Sequence, residues 1–256
     1  MTAALDGLRL ALSWLTVLPG LHDPDRLAPD RVAGGRAIAA TPAVGVLLGA
    51  GAAALMWLWT TAGLDPALAG LLTVAALALL TRGMHVDGLA DTVDGLGCYG
   101  DPARALEVMR GGGVGPFGAA ALVVCLGAQA LSFGALASAG QWLGLAAAVT
   151  AGRVAAVLAC RRGLSAAAPT GFGALVAGTQ SRWACAGWSL ALLAAASAAV
   201  PGRWWQGPLV VAAALGLTVL LTRHCARRFG GVTGDVLGAS IEVTVTVVAV
   251  GLLLGG

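Results

Sequence analysis

IAATPAVGVLLGAGAAALMWLWTT, residues 38–61, and LDPALAGLLTVAALALLT, residues 64–81, follow one another with a single charged residue, Asp65, between Ile38 and Thr81. A helix needs about 20 apolar residues to cross the ~30 Å hydrocarbon core of a bilayer. Two consecutive runs near that length read as a pair of membrane-spanning helices. Five more blocks of the same kind follow, at roughly 117–137, 142–160, 183–200, 208–222 and 236–255. The expected fold is therefore all-α: one domain over residues 1–256, a polytopic helical bundle with about seven transmembrane helices.

The whole chain agrees with its decisive stretch. Of its 256 residues 58% are hydrophobic and only 11% charged, where a soluble domain carries roughly 25% charge. Mean hydropathy is +0.87. A water-soluble enzyme and a nucleic-acid-binding module are both disfavoured. Gly and Ala dominate the spans, as expected where membrane helices approach closely through small residues. The five cysteines form no CxxC pair and lie mostly in apolar runs, as small buried hydrophobes do. No basic segment precedes a cleavage site at the N-terminus, so no removable signal peptide is expected. The interrupted apolar segment Leu5–Leu18, ended by Pro19, reads as an interfacial or re-entrant helix.

The arginines set the orientation. With the N-terminus inside, the inner segments hold Arg9, Arg26, Arg31, Arg36, Arg82, Arg104, Arg110, Arg161, Arg162, Arg182, Arg223, Arg227 and Arg228, thirteen of the fifteen basic residues. Only Arg203 falls outside, and Arg153 lies within a span. Cytoplasmic loops carry the positive excess. The loop 82–116 and the turn 223–235 are then cytoplasmic, and the C-terminus faces out.

The acidic residues are few enough to weigh singly. Asp6, Asp23, Asp25, Asp30 and Asp65 read as solvated or interfacial. Asp87, Asp91 and Asp94 stand at i, i+4 and i+7, at about 0°, 40° and −20° around a helix, so they share one stripe about 10.5 Å long. Three stacked carboxylates repel unless a cation lies among them. A solvated polar face is the plain reading. The stripe abuts the end of a span in a chain with little charge, which favours Mg²⁺ held by a few hard oxygen ligands. His85 falls on the opposite face. It reads either as a structural histidine or as a group working on substrate or protons.

A second group lies in GGVTGDVLGASIE, residues 230–242. Gly230, Gly231 and Thr233 form a turn opening into the last span, where backbone N–H groups at a helix start suit a phosphate. Asp235 and Glu242, seven apart, share a face. Glu242 lies two turns into an apolar helix and should face the bundle interior beside a cation. Arg110 precedes a glycine-rich segment that could close on a phosphate. Arg104 and Glu107 read as a surface pair. Arg153, in mid-span, needs a carboxylate or phosphate partner.

HVDGLADTVDG (85–95), Met109-Arg110 leading into Gly115-Pro116-Phe117-Gly118, and GGVTGDVLGA (230–239) together resemble the cobalamin synthase family. Leu15–Pro19 and the Arg36–Gly49 region resemble its N-terminal pattern. The likeness runs over almost the whole chain. Two positions depart from it: Gly111, Gly112 and Gly113 stand where charged residues usually follow the Met-Arg pair, and Val245 where a second glutamate often follows Glu242.

The resemblance implies an integral enzyme of the bacterial cytoplasmic (inner) membrane. It would join α-ribazole, or its 5′-phosphate, to adenosylcobinamide-GDP and release GMP, with Mg²⁺. Asp87, Asp91, Asp94, Asp235 and Glu242 become candidate metal ligands, with one or two ions against the diphosphate. Asp235, His85 and Arg110 are candidate catalytic groups, Asp235 either completing the metal site or serving as general base. Arg153, Arg162, Gly230, Gly231 and Thr233 are candidate substrate contacts. Association with other membrane enzymes of the pathway is a further expectation. Two alternatives stand beside this one. A CDP-alcohol phosphotransferase-like phospholipid synthase would also use a stripe of aspartates, although its usual pattern is absent. A cation-coupled transporter would place its carboxylates near the midplane.

Overall fold

The computed structural model describes residues 2–18 and 29–255. Eleven helices are present among the described residues: α1 (Thr2–Leu15), α2 (Arg31–Thr61), α3 (Pro66–Leu80), α4 (Met84–Gly97), α5 (Pro102–Met109), α6 (Pro116–Ser138), α7 (Trp142–Ala159), α8 (Phe172–Val176), α9 (Arg182–Ala196), α10 (Gln206–Phe229) and α11 (Gly234–Gly251). Their only β pairing is two isolated bridges, Arg161 with Gln180 and Ala166 with Val232. The all-α membrane architecture expected from the sequence is the one observed.

Each of the seven expected spans is a helix, but seven crossings are not reached by length. Five helices, α2, α6, α7, α10 and α11, are long and apolar enough to cross a bilayer. A sixth crossing would need α3 and α4 taken as one span, and these bend by 93° at their junction. Helix α9 stops at Ala196 after 15 residues, about 22 Å of helix, short of the hydrocarbon thickness. The expected turn 223–235 is also mostly helix. α10 runs on to Phe229, with Arg227 and Arg228 in its last turn and left-handed Gly230 (φ 76°) ending it, an arrangement that suits a helix C-terminus.

Asp30 and Asp65 do more than meet solvent. Asp30 caps α2 through Ala33 N at 2.8 Å, and Asp65 caps α3 through Ala67 N at 2.9 Å, satisfying donors that a helix start leaves free. Pro19, Asp23, Asp25 and Arg26 lie outside the described residues.

Helix α7 is the axis of the bundle, packed between α2 and α11 with all but its first turn largely buried. Small residues allow the approach: a side-chain carbon on Gly49 would lie 2.5 Å from Ala146 O, and one on Gly152 would lie 2.8 Å from a Val245 methyl. Outward, Leu47, Val123, Val124, Leu131 and Leu220 are each more than half exposed. In water such a belt would be a liability. It is the surface that lipid covers.

The corner after α3 determines where α4 goes. Arg82 (φ 58°) and Gly83 (φ 67°) are both left-handed, and two such residues in succession end α3 and turn the chain. The Arg82 Nη2 donates to Ser13 O at 2.6 Å and Thr16 O at 3.1 Å, tying α1 to the corner. With its three aspartates, α4 then runs along one end of the bundle rather than continuing the crossing.

Candidate active site

The aspartate stripe is helical as expected, but its three members meet different surroundings. Gly88 packs on α11 so closely that a side-chain carbon there would lie 2.9 Å from Asp235 Cα. Gly238 of α11 makes the reciprocal approach: a side-chain carbon there would lie 3.1 Å from His85 Cα. These two glycines bring Asp87 and Asp91 beside Asp235, the first-turn acid of α11. Asp87 is exposed, while Asp91 and Asp235 are half-buried. Burial, and then the charges of Asp87, Asp235 and Asp94, push the Asp91 carboxyl up to about 6. Asp87, Asp91 and Asp235 therefore form one acidic cluster.

Asp94 is employed differently. It is buried, and its Oδ2 accepts from Gly115 N at 2.7 Å and its Oδ1 from Gly118 N at 2.9 Å. The carboxylate thus caps α6, whose own cap residue, Gly115, has no side chain to do so. Gly118 admits it because a methyl there would overlap the carboxylate. Both Asp94 oxygens are committed to backbone.

Glu242 faces the bundle interior as expected, but its nearest polar partner is an amide. Gln129 Nε2 of α6 donates to Glu242 Oε2 at 2.8 Å, and His85 Nδ1 lies 3.9 Å from Oε1. The imidazole Nδ1 is buried without a hydrogen-bond partner. Arg153, 3% exposed, donates from Nη1 to Val149 O at 3.4 Å, and its Nε also has no partner. Arg153, Glu242 and Gln129 line a void of about 20 Å³, roughly the space of one water. Gln129 was not among the expected site residues. The signal for it was a lone amide within an otherwise apolar span.

Two larger cavities meet at Asp235. The first, about 440 Å³, lies among α1, α2, α4, α7 and α11. Trp14, Ile38 and Ile241 are among its apolar walls, and Asp87, His85, Arg82 and Arg153 among its polar ones. The second, about 230 Å³, is lined by Arg110, Thr170, Thr233 and the backbone around Gly171–Ala174. Phe172, Gly234 and Asp235 belong to both. Phe172 meets Trp14 edge to face, with ring centroids 5.1 Å apart. Neither aromatic stood out in the sequence.

The remaining candidates divide. Arg110 ends α5 exposed and faces Asp235 across the second cavity. Thr233 caps α11 through Val236 N at 3.3 Å and lines that same cavity. Gly230 and Gly231 line neither cavity. Gly230 ends α10, and Gly231 lies against the backbone of Ala166 and Ala167, where a side chain would overlap. Val232 N donates to Ser165 O at 2.8 Å, fixing that turn. Arg162 is exposed and lines neither cavity. Arg104 and Glu107 form an exposed pair at 2.7 Å.

Among the described residues no three His, Cys, Asp or Glu side chains are grouped so as to hold an ion by themselves. The donor set nonetheless fits Mg²⁺, which commonly takes one or two carboxylates and completes its shell with water and substrate phosphate. Asp87 and Asp235 supply hard oxygens that border a cavity, and Asp91 stands one helical turn along from Asp87 on the same stripe.

The chain matches the family described as Cobalamin-5-phosphate synthase over residues 7–253. It is 44% identical to an adenosylcobinamide-GDP ribazoletransferase of Frankia casuarinae, covering 92% of this chain and 90% of that one. A protein of the same description from Nocardioides sp. is 40% identical over 93% of this chain and 94% of its own. One from Corynebacterium efficiens is 38% identical over 97% and 91%. No solved structure matches.

Proposed function

We propose that this chain, which belongs to the cobalamin-5-phosphate synthase family, is the membrane transferase that joins α-ribazole or its 5′-phosphate to adenosylcobinamide-GDP. α-Ribazole is an N-ribosylated benzimidazole. One of its ribose hydroxyls attacks the corrinoid-side phosphorus of the diphosphate, a new P–O bond forms, and the bond to GMP breaks. The observation that carries this reading is Asp235, which borders both cavities and is pressed against the aspartate helix at Gly88. An acceptor in one cavity and a diphosphate in the other would meet at that carboxylate.

Phosphoryl transfer asks the protein chiefly for position and charge balance. Asp87, Asp91 and Asp235 would hold Mg²⁺, which supplies neutralisation of the phosphate oxygens and of the leaving GMP. Asp235 orients the attacking hydroxyl and takes its proton. Arg110 and the N-terminal amides of α11 contact the diphosphate. Asp94 holds α6 against the aspartate helix, and the pair Gln129–Glu242 holds α6 against α11. The corrinoid, too large for either cavity, stays outside at the end of the bundle that carries α4 and α5. The arginine distribution supports placing that end and the N-terminus on the cytoplasmic side of the inner membrane.

The test is direct. The detergent-purified protein is incubated with adenosylcobinamide-GDP, α-ribazole and Mg²⁺, and GMP and corrinoid product are separated chromatographically. Equimolar GMP and product, abolished by EDTA, is the expected result. No GMP from a folded, lipid-supplemented preparation would overturn the reading.

A further inference from the structure

Resting on the transferase reading, we propose that the 440 Å³ cavity receives the planar base of α-ribazole, with Arg153 donating a hydrogen bond to its unsubstituted ring nitrogen. The two cavities differ in what they can bind. The smaller one presents Arg110, two threonines and the start of α11, suiting a phosphate chain. The larger one has walls of Trp14, Leu15, Ile38, Ala156, Leu237 and Ile241, surfaces that would strip water from a diphosphate without replacing it. Its volume falls within the ~300–1,000 Å³ range of small-molecule sites.

Arg153 supplies the second observation. It lines this cavity, is 3% exposed, and among the described residues its guanidinium makes only a long hydrogen bond, from Nη1 to Val149 O at 3.4 Å. A guanidinium has donors only, so whatever completes it must bring a lone pair. In an N-ribosylated benzimidazole the other ring nitrogen is such an acceptor, lying in the ring plane. Glu242 balances the arginine's charge from the adjoining void while bonding Gln129 instead, which leaves guanidinium donors free. The order of groups also fits. Asp87 and Asp235 border this same cavity, so a base inside it would place its ribose against the carboxylates and the diphosphate beyond. Phe172, set edge to face with Trp14 and shared by both cavities, would separate base from diphosphate.

The test measures equilibrium binding of α-ribazole to the full-length protein in detergent without the corrinoid substrate, and separately the KM of each substrate. Ala156→Phe, which fills the cavity, should weaken α-ribazole binding and raise its KM by about 20-fold or more, with the adenosylcobinamide-GDP KM within about threefold of wild type. Phe172→Ala, at a partly exposed ring, should weaken α-ribazole roughly fivefold. An indole riboside, isosteric but without the ring acceptor, should bind the unaltered protein roughly tenfold to a hundredfold more weakly. Should Ala156→Phe fail to fold, the Phe172→Ala variant and the two ribosides still decide the matter. Equal affinity for the two ribosides would overturn the proposal. So would a change confined to the corrinoid KM, or an acyl chain found in the cavity that α-ribazole does not displace. Tight α-ribazole binding with no GMP formed would instead overturn the transferase reading and leave the cavity assignment standing.

Discussion

Gly88 and Asp235 touch backbone to backbone across the α4–α11 interface, leaving 2.9 Å between Asp235 Cα and the place a Gly88 side chain would occupy. That contact fixes the spacing between the aspartate helix and the acid at the meeting point of the two cavities. Any side chain at position 88 acts on the site without touching substrate.

Gly88→Ala should therefore separate Asp87 and Asp91 from Asp235. A misplacement of about 1 Å in a positioned group costs on the order of 100-fold in rate. Stability should fall only by about 1–3 kcal/mol. GMP release and thermal unfolding measured on one preparation would show the disproportion. Equal, small losses in both would indicate that the spacing is not critical.

Asp91→Asn and Asp94→Asn should part company. Asp91 bonds no backbone start and sits in the acidic cluster, so its amide should fold normally and lose at least about 100-fold in turnover. Asp94→Asn turns an NH₂ group toward Gly115 N or Gly118 N. It should lose about 0.5–2 kcal/mol of stability as a broken helix cap, with the remaining activity still responding to Mg²⁺ at ordinary concentrations. Mg²⁺ titrations paired with melting curves separate the two.

The raised Asp91 carboxyl gives a pH signature. Above about 6 it is ionised and free to bind a cation; as pH falls through that value protons compete. The Mg²⁺ concentration for half-maximal rate should rise about tenfold per pH unit below it. In metal-free protein the sign reverses: ionising Asp91 beside like charges destabilises the fold. Its stabilising contribution is full below the ordinary aspartate range and is lost as pH rises through about 6. Asp91→Asn should flatten both trends.

Gln129→Leu should remove the hydrogen-bond donor to the Glu242 carboxylate and cost about 3–5 kcal/mol of stability, read as a sharply lowered melting temperature. Gln129→Leu with Glu242→Met also leaves the buried Arg153 without its balancing charge, so the coupling is read from the full cycle: the double variant should lose less stability than the sum of the two single changes. A loss equal to that sum would deny the pair its coupling.

Much of this was legible in the sequence, and what was not has a physical reason. The apolar runs at 38–61 and 236–255 announced their helices, and the spacing of Asp87, Asp91 and Asp94 announced a stripe. Helical spacing says nothing about what faces the stripe, so Asp94 read as an equal member although α6 claims both its oxygens. The end of α10 was missed because three arginines read as a turn, whereas a helix C-terminus favours them. Gly230 and Gly231 read as a phosphate cradle, whereas one ends a helix and the other makes room for the 165–167 segment. The two cavities depend on residues far apart in the chain, Trp14 with Phe172 and Ile38 with Ile241, which no local pattern pairs.

Arg82 occupies a backbone conformation that costs an ordinary L-residue about 1–2 kcal/mol, and that glycine would adopt freely. What the arginine provides in return is a tether to Ser13 and Thr16. α1 carries Trp14, a wall of the large cavity. The position of that wall thus depends on the reach of one arginine side chain. A glycine at 82 would relax the corner and let α1 drift, giving a sturdier elbow and a poorer gauge.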